Sequence, residues 1–321
     1  MPADNPGRSD GSPRCLLALN TAEGLLQAAL GLAGDGGWTL AGFAEIEARS
    51  QGAETLVPLV RDIFARAGLE PRFLRRIAAV RGPGGFTGLR LGPVSAAGLA
   101  KACGALQAGM DYLPLLAQSA VRRLAPELSN LRDPDGIRLW VLVHARRNLV
   151  YAQSFIFPTA EEAAREAGNA VSAESAGSGG SIGVAGSEGA VFSGRGTVAD
   201  GMLVCPPAQL AALIRAAGFA GPGTRPLLLG SGLEKNREEF SRLLDGGGEK
   251  AALPLPPEYA RPAPETLLAV AASLEYGAAD IEPFYARPSD AEENLALVAA
   301  SLGIDPGAAR VKLTDIAAGR R

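Results

Sequence analysis

The segment AAVRGPGGFTGLRLGPVSAAGLAKACG, residues 78–104, joins an apolar run to a run of small, helix-forming residues through a loop crowded with glycine and proline. Its reading decides the fold, because strand, glycine loop and helix in that order make the basic unit of an α/β protein. Such a loop either cradles a phosphate or lets another backbone come close. As a phosphate loop it is incomplete: GPGGFTGLRLG carries glycines at Gly82, Gly84, Gly85 and Gly88 but neither a following Lys-Ser/Thr pair nor a clean G-x-G-x-x-G. Thr87 is the expected N-cap of the helix. Gly88, Gly92, Ser95, Ala96, Ala97 and Gly98 leave it a face of little bulk, over which a second helix can approach. Pro93 predicts a kink, or a regular helix that starts only near Gly92.

Working outward, CLLALN (15–20), LLQAALGL (25–32) and AGFAEIEAR (41–49) are apolar or alternating runs separated by turn residues, which predicts a three-stranded meander. From Glu54 the period becomes helical, with Leu56, Leu59, Val60, Ile63, Phe64 and Ala67 on one stripe. Gly68 closes that helix, and Pro58 suits it if placed in the first turn. RRIAAVRG (75–82) is the next strand. Beyond the quoted segment, a helix (114–124), a hairpin (137–145 and 149–157), a helix (208–218) and a strand entering a turn (225–232) restart the same order. A last long helix is expected over 264–279, and a weak one within ENLALVAASLG.

Composition narrows the function. The 321 residues allow two domains, and 31 basic against 34 acidic side chains give a net charge of −3, which predicts no unaided grip on nucleic acid. Three widely spaced cysteines fit reduced thiols and a cytoplasmic address rather than a disulfide framework. The polar first thirteen residues lack the apolar core of a signal peptide, and no run is long enough to span a membrane. One histidine, His144, and no C-x-x-C pair leave no zinc or iron site to assemble. GSGLE (230–234) lacks the second glycine of a nucleophile elbow. Residues 161–200, almost all Ala, Gly, Ser and charged residues, read as a flexible insertion.

The segment RGPGGFTGLRLGPVSAAGLAKACG resembles the hallmark of the TsaB family, the dimerisation subunit of the bacterial machinery that makes threonylcarbamoyladenosine in tRNA. LLALNTAEG is similar to that family's opening strand and Asp-Thr-Ser turn, GAETLVPLVRDIFARAGL to its first long helix, VLVHARRNLVYAQSF to its second-domain hairpin and EPFYARPSDAE to its terminal segment. The resemblance implies an α/β fold of two actin-like, ribonuclease-H-like domains with mixed sheets flanked by helices. It divides the chain into a disordered tail (1–13), a first domain (14–110, completed by the helix 264–279), a smaller second domain (111–261) and a C-terminal extension (290–321).

The family further implies a non-catalytic subunit that pairs with a TsaD-like catalytic partner, joined by a TsaE-like ATPase, and that meets tRNA only through the complex. ATP and metal are then expected on the partners, not on this chain. Without its partner the chain could pair with itself through the same face. Carried over by position, the interface comprises Leu56, Leu59 and Ile63 on one helix and Thr87, Arg90, Leu91 and Val94 on the other, the glycines serving the partner's close approach. Asn20 and Thr21 mark a vestigial phosphate loop, in which Asn20 replaces the family's Asp; His144 stands where a second Asp is expected, and Ala53 replaces a polar residue. All three changes lead away from catalysis. The alternatives are an independent actin-like ATPase or sugar kinase, for which Glu23 is the one spare carboxylate, and a peptidase, which the single histidine disfavours.

Overall fold

A computed structural model describes residues 12–47, 52–128, 137–157, 197–198, 201–216, 225–244, 252–286, 295–301, 303–305, 307–308 and 311–312. Nearly all of the expected tail and of the 161–200 insertion therefore lies outside the described residues.

The first sheet has the order β3-β2-β1-β4-β5, from β1 (Cys15–Asn20), β2 (Leu25–Gly34), β3 (Gly37–Glu47), β4 (Leu74–Gly82) and β5 (Leu106–Asp111). β1 to β3 form the predicted antiparallel meander, and β4 and β5 run parallel to β1 and to each other. Every residue of β1 is buried, because the strand is central and covered on both faces. Leu17 and Leu19 pack with α1 (Gly52–Arg66) and α2 (Phe86–Cys103). On the other face Gly31, paired with Leu16, admits the Leu268 side chain of α7 (Pro264–Ala272) so closely that a Cβ there would lie 2.6 Å from Leu268 Cδ1.

The second sheet has the order β11-β10-β6-β7-β8, from β6 (Ile137–Arg146), β7 (Leu149–Phe157), β8 (Thr197–Val198), β10 (Leu227–Leu229) and β11 (Leu253–Pro254), with β9 (Leu203–Cys205) also paired to β7. Its antiparallel β6–β7 pair and parallel β6–β10–β11 ladder repeat the layout of the first sheet, so the restart of element order in the sequence is a real structural repeat. One face buries Trp140, Leu142 and Leu228 against Leu210 and Ile214 of α4 (Pro207–Ala216), Leu233 of α5 (Ser231–Lys235) and Phe240 of α6 (Arg237–Leu244). α3 (Tyr112–Leu128) packs against strands of both sheets. This is the expected two-domain α/β architecture.

Several expectations need correction. α2 is continuous from Phe86, so its N-cap is Gly85 rather than Thr87, and Pro93 lies within it. Pro93 has no N–H to offer the Leu89 carbonyl; at the preceding turn the Gly88 carbonyl accepts the Thr21 hydroxyl at 2.6 Å. Pro58 is likewise inside α1 and not in its first turn. The helix expected over 264–279 ends at Ala272, where the Ser273 and Leu274 N–H groups turn back to Val270 and Ala271 and the Tyr276 hydroxyl caps the Ala271 carbonyl. β5 occupies a segment to which the sequence pattern assigns no element.

Helix ends follow the glycines. Past α1, Gly68 takes φ +64 while Leu69 N–H bonds the Phe64 carbonyl and Gly68 N–H the Ala65 carbonyl, a Schellman closure. Residues 285–321 cluster as a separate unit, whose helix α8 (Leu295–Ser301) closes in the same manner at Gly303.

Candidate functional site

The residues singled out by sequence fall into two places, the helix pair α1–α2 and the turn between β1 and β2. On α1, Leu56, Leu59 and Ile63 are 0%, 7% and 2% exposed and belong to the core of the first sheet. They cannot also be a docking surface, which corrects that part of the expected interface. The physical reason is the spacing itself: the stripe Leu56, Leu59, Val60, Ile63 is the helix's most apolar face, and the sheet takes it. Leu91 is half-buried against the same core and touches α1 near Gly52, where a Cβ would lie 2.9 Å from Leu91 Cδ2. Arg90 and Val94 are exposed, with Val94 at 69%. The Arg90 guanidinium lies over the Phe86 ring at 3.8 Å. The Thr87 side chain lies outside the described residues. What remains on the outside of the two helices is Val57, 55% exposed, with Val94, Phe86 and Arg90.

The glycines serve the chain's own backbone rather than a partner's. A Cβ on Gly88 would lie 2.3 Å from the Thr21 carbonyl oxygen, and one on Gly92 2.8 Å from Thr21 Oγ1. Gly82, at φ +138, lies under the Phe284 carbonyl, and Gly84 packs on Leu89 and Ala22. Gly85 and Gly98 alone among these loop and helix glycines face open space. α2 is thus pressed onto the β1–β2 turn, and the opening loop is shaped by self-packing.

That turn is a buried polar centre. Asn20 is fully buried; its Oδ1 accepts the Ala22 N–H at 3.0 Å and its Nδ2 donates to Gln27 Oε1 at 2.8 Å. Gln27 Nε2 in turn donates to Glu45 Oε2 at 2.7 Å and to the Pro262 carbonyl at 2.9 Å. Asn20 therefore acts as a satisfied core amide, using donor and acceptor together. Glu23, with φ +56, turns its carboxylate inward, where Tyr112 donates to Oε2 at 3.2 Å and Ser231 donates to Oε1. Burial pushes this carboxyl above its ordinary value, against the lowering effect of the two hydroxyl donors. Burial and the neighbouring Glu23 together push the Tyr112 phenol well up. The His144 N–H donates to Ser231 Oγ at 3.0 Å, and burial lowers the imidazole's pKa.

In the sequence Glu23 stands out only as a spare carboxylate, and neither Tyr112 nor Ser231 stands out by itself. The Gly-Ser-Gly of residues 230–232 was the available signal: Gly230, at φ +113, and Gly232 both sit so tightly on Leu142 that any side chain would strike backbone. Among the described residues no three His, Cys, Asp or Glu side chains converge as metal ligands would, and no helix is long and apolar enough to cross a membrane.

The TsaD family, described as tRNA N6-adenosine threonylcarbamoyltransferase, matches residues 42–200. No curated protein matches the chain by sequence. YeaZ from Pseudomonas aeruginosa is similar in structure, with a TM-score of 0.53 and 21% identity over 80% of this chain and 90% of that one. An uncharacterized Pseudomonas aeruginosa protein with similarity to peptidase YeaZ has a TM-score of 0.56 and 22% identity over 85% of this chain and 100% of that one. The chain thus carries a segment similar to the TsaD family on a fold similar to that of the YeaZ structures.

Proposed function

We propose that the chain is a non-catalytic subunit that binds and stabilises a TsaD-like catalytic protein in threonylcarbamoyladenosine modification of tRNA. The observation that carries this reading is the outer side of α1 and α2, where Val57 and Val94 stand more than half exposed on helices whose inner faces are already filled. Apolar side chains held out on rigid helices suit burial against a partner. In this reading the chain works in the cytoplasm and contributes binding free energy that favours the partner's competent state, while nucleotide, metal and bond-making belong to the partner and to a TsaE-like ATPase.

The test is co-purification with the TsaD-like protein of the same cell. Wild type is expected to co-elute and the Val57→Glu/Val94→Glu double variant to lose the partner, since a carboxylate forced into an apolar contact costs several kcal/mol. Both positions are solvent-facing, so the variant's melting temperature should match the parent's. Undiminished binding by the folded double variant would place the interface elsewhere. Titration of the isolated chain with ATP and magnesium addresses the kinase alternative: micromolar binding followed by turnover would replace the subunit reading.

A further inference from the structure

We propose that Glu23 is a latch between the two sheets, holding the β1–β2 turn of the first against the Gly-Ser-Gly turn of the second. The inference is independent of the proposed partner and stands on how both halves are built. On the first side the turn is fixed before Glu23 reaches out: Asn20 pins the Ala22 N–H, Gly88 and Gly92 bring α2 onto Thr21, and the Thr21 hydroxyl holds the Gly88 carbonyl. Glu23 and Gly24 then take φ +56 and +77, which points the carboxylate across the seam. A non-glycine residue in that region carries a strain cost that the closed contacts must offset.

On the second side Gly230 and Gly232 seat the turn on the Leu142 backbone, and Ser231 Oγ accepts the β6 His144 N–H while donating to Glu23 Oε1. Tyr112 closes the other carboxylate oxygen from the first turn of α3, the helix that touches both sheets. The groups around the carboxylate are thus Tyr112 on α3, His144 on β6 behind Ser231, and Lys235 and Glu234 on α5, of which Lys235 favours its charge and Glu234 opposes it. None of them forms an ion pair with Glu23 among the described residues, so burial is the largest influence on the carboxyl and favours its neutral form.

Because the closed-state value lies above the free one, the latch is tightest below the ordinary glutamate range, about 4.3, and loosens as pH rises through the closed-state value. Once the seam parts, water solvates the charge.

Hydrogen exchange of the full chain, corrected for its intrinsic pH dependence, reads this directly. In wild type, the opening constant of segments 20–24, 142–144 and 229–235 should rise about tenfold per pH unit above that range and then level off. Glu23→Gln should make the same segments independent of pH, and Glu23→Ala should leave them open at every pH. β4 and α4 should keep their protection throughout. Should Glu23→Ala fail to fold, Ser231→Ala supplies the second variant, with faster exchange expected at 20–24. A wild-type seam that is flat with pH, a Ser231→Ala seam that exchanges like the parent, or a rise shared equally by β4 would overturn the latch.

Discussion

Changing Asn20 to Asp should destabilise this protein although the two side chains have nearly the same shape. Asn20 Nδ2 stands 2.8 Å from Gln27 Oε1 in a fully buried site, so an aspartate would set an anionic oxygen against a carbonyl oxygen. Rotating the Gln27 amide offers no escape, because its Nε2 already serves Glu45 and Pro262, and the turned amide would present its oxygen to both acceptors. With the amide as it stands one hydrogen bond is lost and two facing oxygens are left unsatisfied; with the amide turned, the two bonds from Nε2 are lost instead. At about 1–3 kcal/mol for each group left unsatisfied, the expected cost is roughly 2–6 kcal/mol. That corresponds to a fall of roughly 3–9 °C in melting temperature for a chain of this size.

The sign with pH also follows. The new carboxyl is disfavoured as an anion, so its folded value is raised, and the protonated acid can donate to Gln27 as the amide did. The loss should shrink as pH falls toward the ordinary aspartate range, about 3.9, and be complete above the folded value. Urea unfolding followed by circular dichroism at two pH values measures both effects. An Asn20→Asp variant within about 0.5 kcal/mol of the parent at pH 8 would refute the reasoning, since that is the scatter of an ordinary surface substitution.

Gly88→Ala should cost about 1–3 kcal/mol in the same assay, because the new methyl meets the Thr21 backbone oxygen and not a side chain that can swing away. Gly98→Ala, on the same helix but facing open space, should instead stabilise by roughly 0.5–1 kcal/mol; equal effects at the two sites would contradict the packing described. Of the three thiols, half-buried Cys103 should react first with a disulfide reagent, ahead of buried Cys15 and Cys205, and slowly at neutral pH because burial raises all three; mass mapping of the labelled peptide decides. Arg261→Ala, which removes two exposed ion pairs to Glu45 and Glu47, should cost at most about 1 kcal/mol and less in high salt.

Much of this fold was legible because its signals are local. The meander from 15 to 47, the glycine closures at Gly68 and Gly104 and the β6–β7 hairpin each announce themselves within a dozen residues. β5 did not, since LQAGMD has neither alternation nor a run of branched side chains and is a strand only because β4 pairs with it. The site was harder for the same reason. Apolar spacing on α1 marks where the helix is most oily, and periodicity cannot say whether a sheet of the same chain or another protein covers that stripe. Glu23, Tyr112 and Ser231 lie far apart in sequence and meet only through tertiary packing. The resemblance carried by the glycine segment implied a partner's approach at these glycines, whereas Gly88 and Gly92 pack on Thr21 of the same chain.

The position of α7 sets an order of events for a chain made from its N-terminus. One face of β1 and β2 is covered by a helix that starts at Pro264, and Gln27 waits for the Pro262 carbonyl. At roughly 5–20 residues per second, the nascent first sheet spends on the order of ten to fifty seconds with that face bare, while the entire second sheet emerges behind it. A ribosome stalled when residue 255 has just left its exit tunnel should therefore hold a finished second lobe beside a sticky, half-clad first one, and a chaperone that shields apolar strands would find its client there.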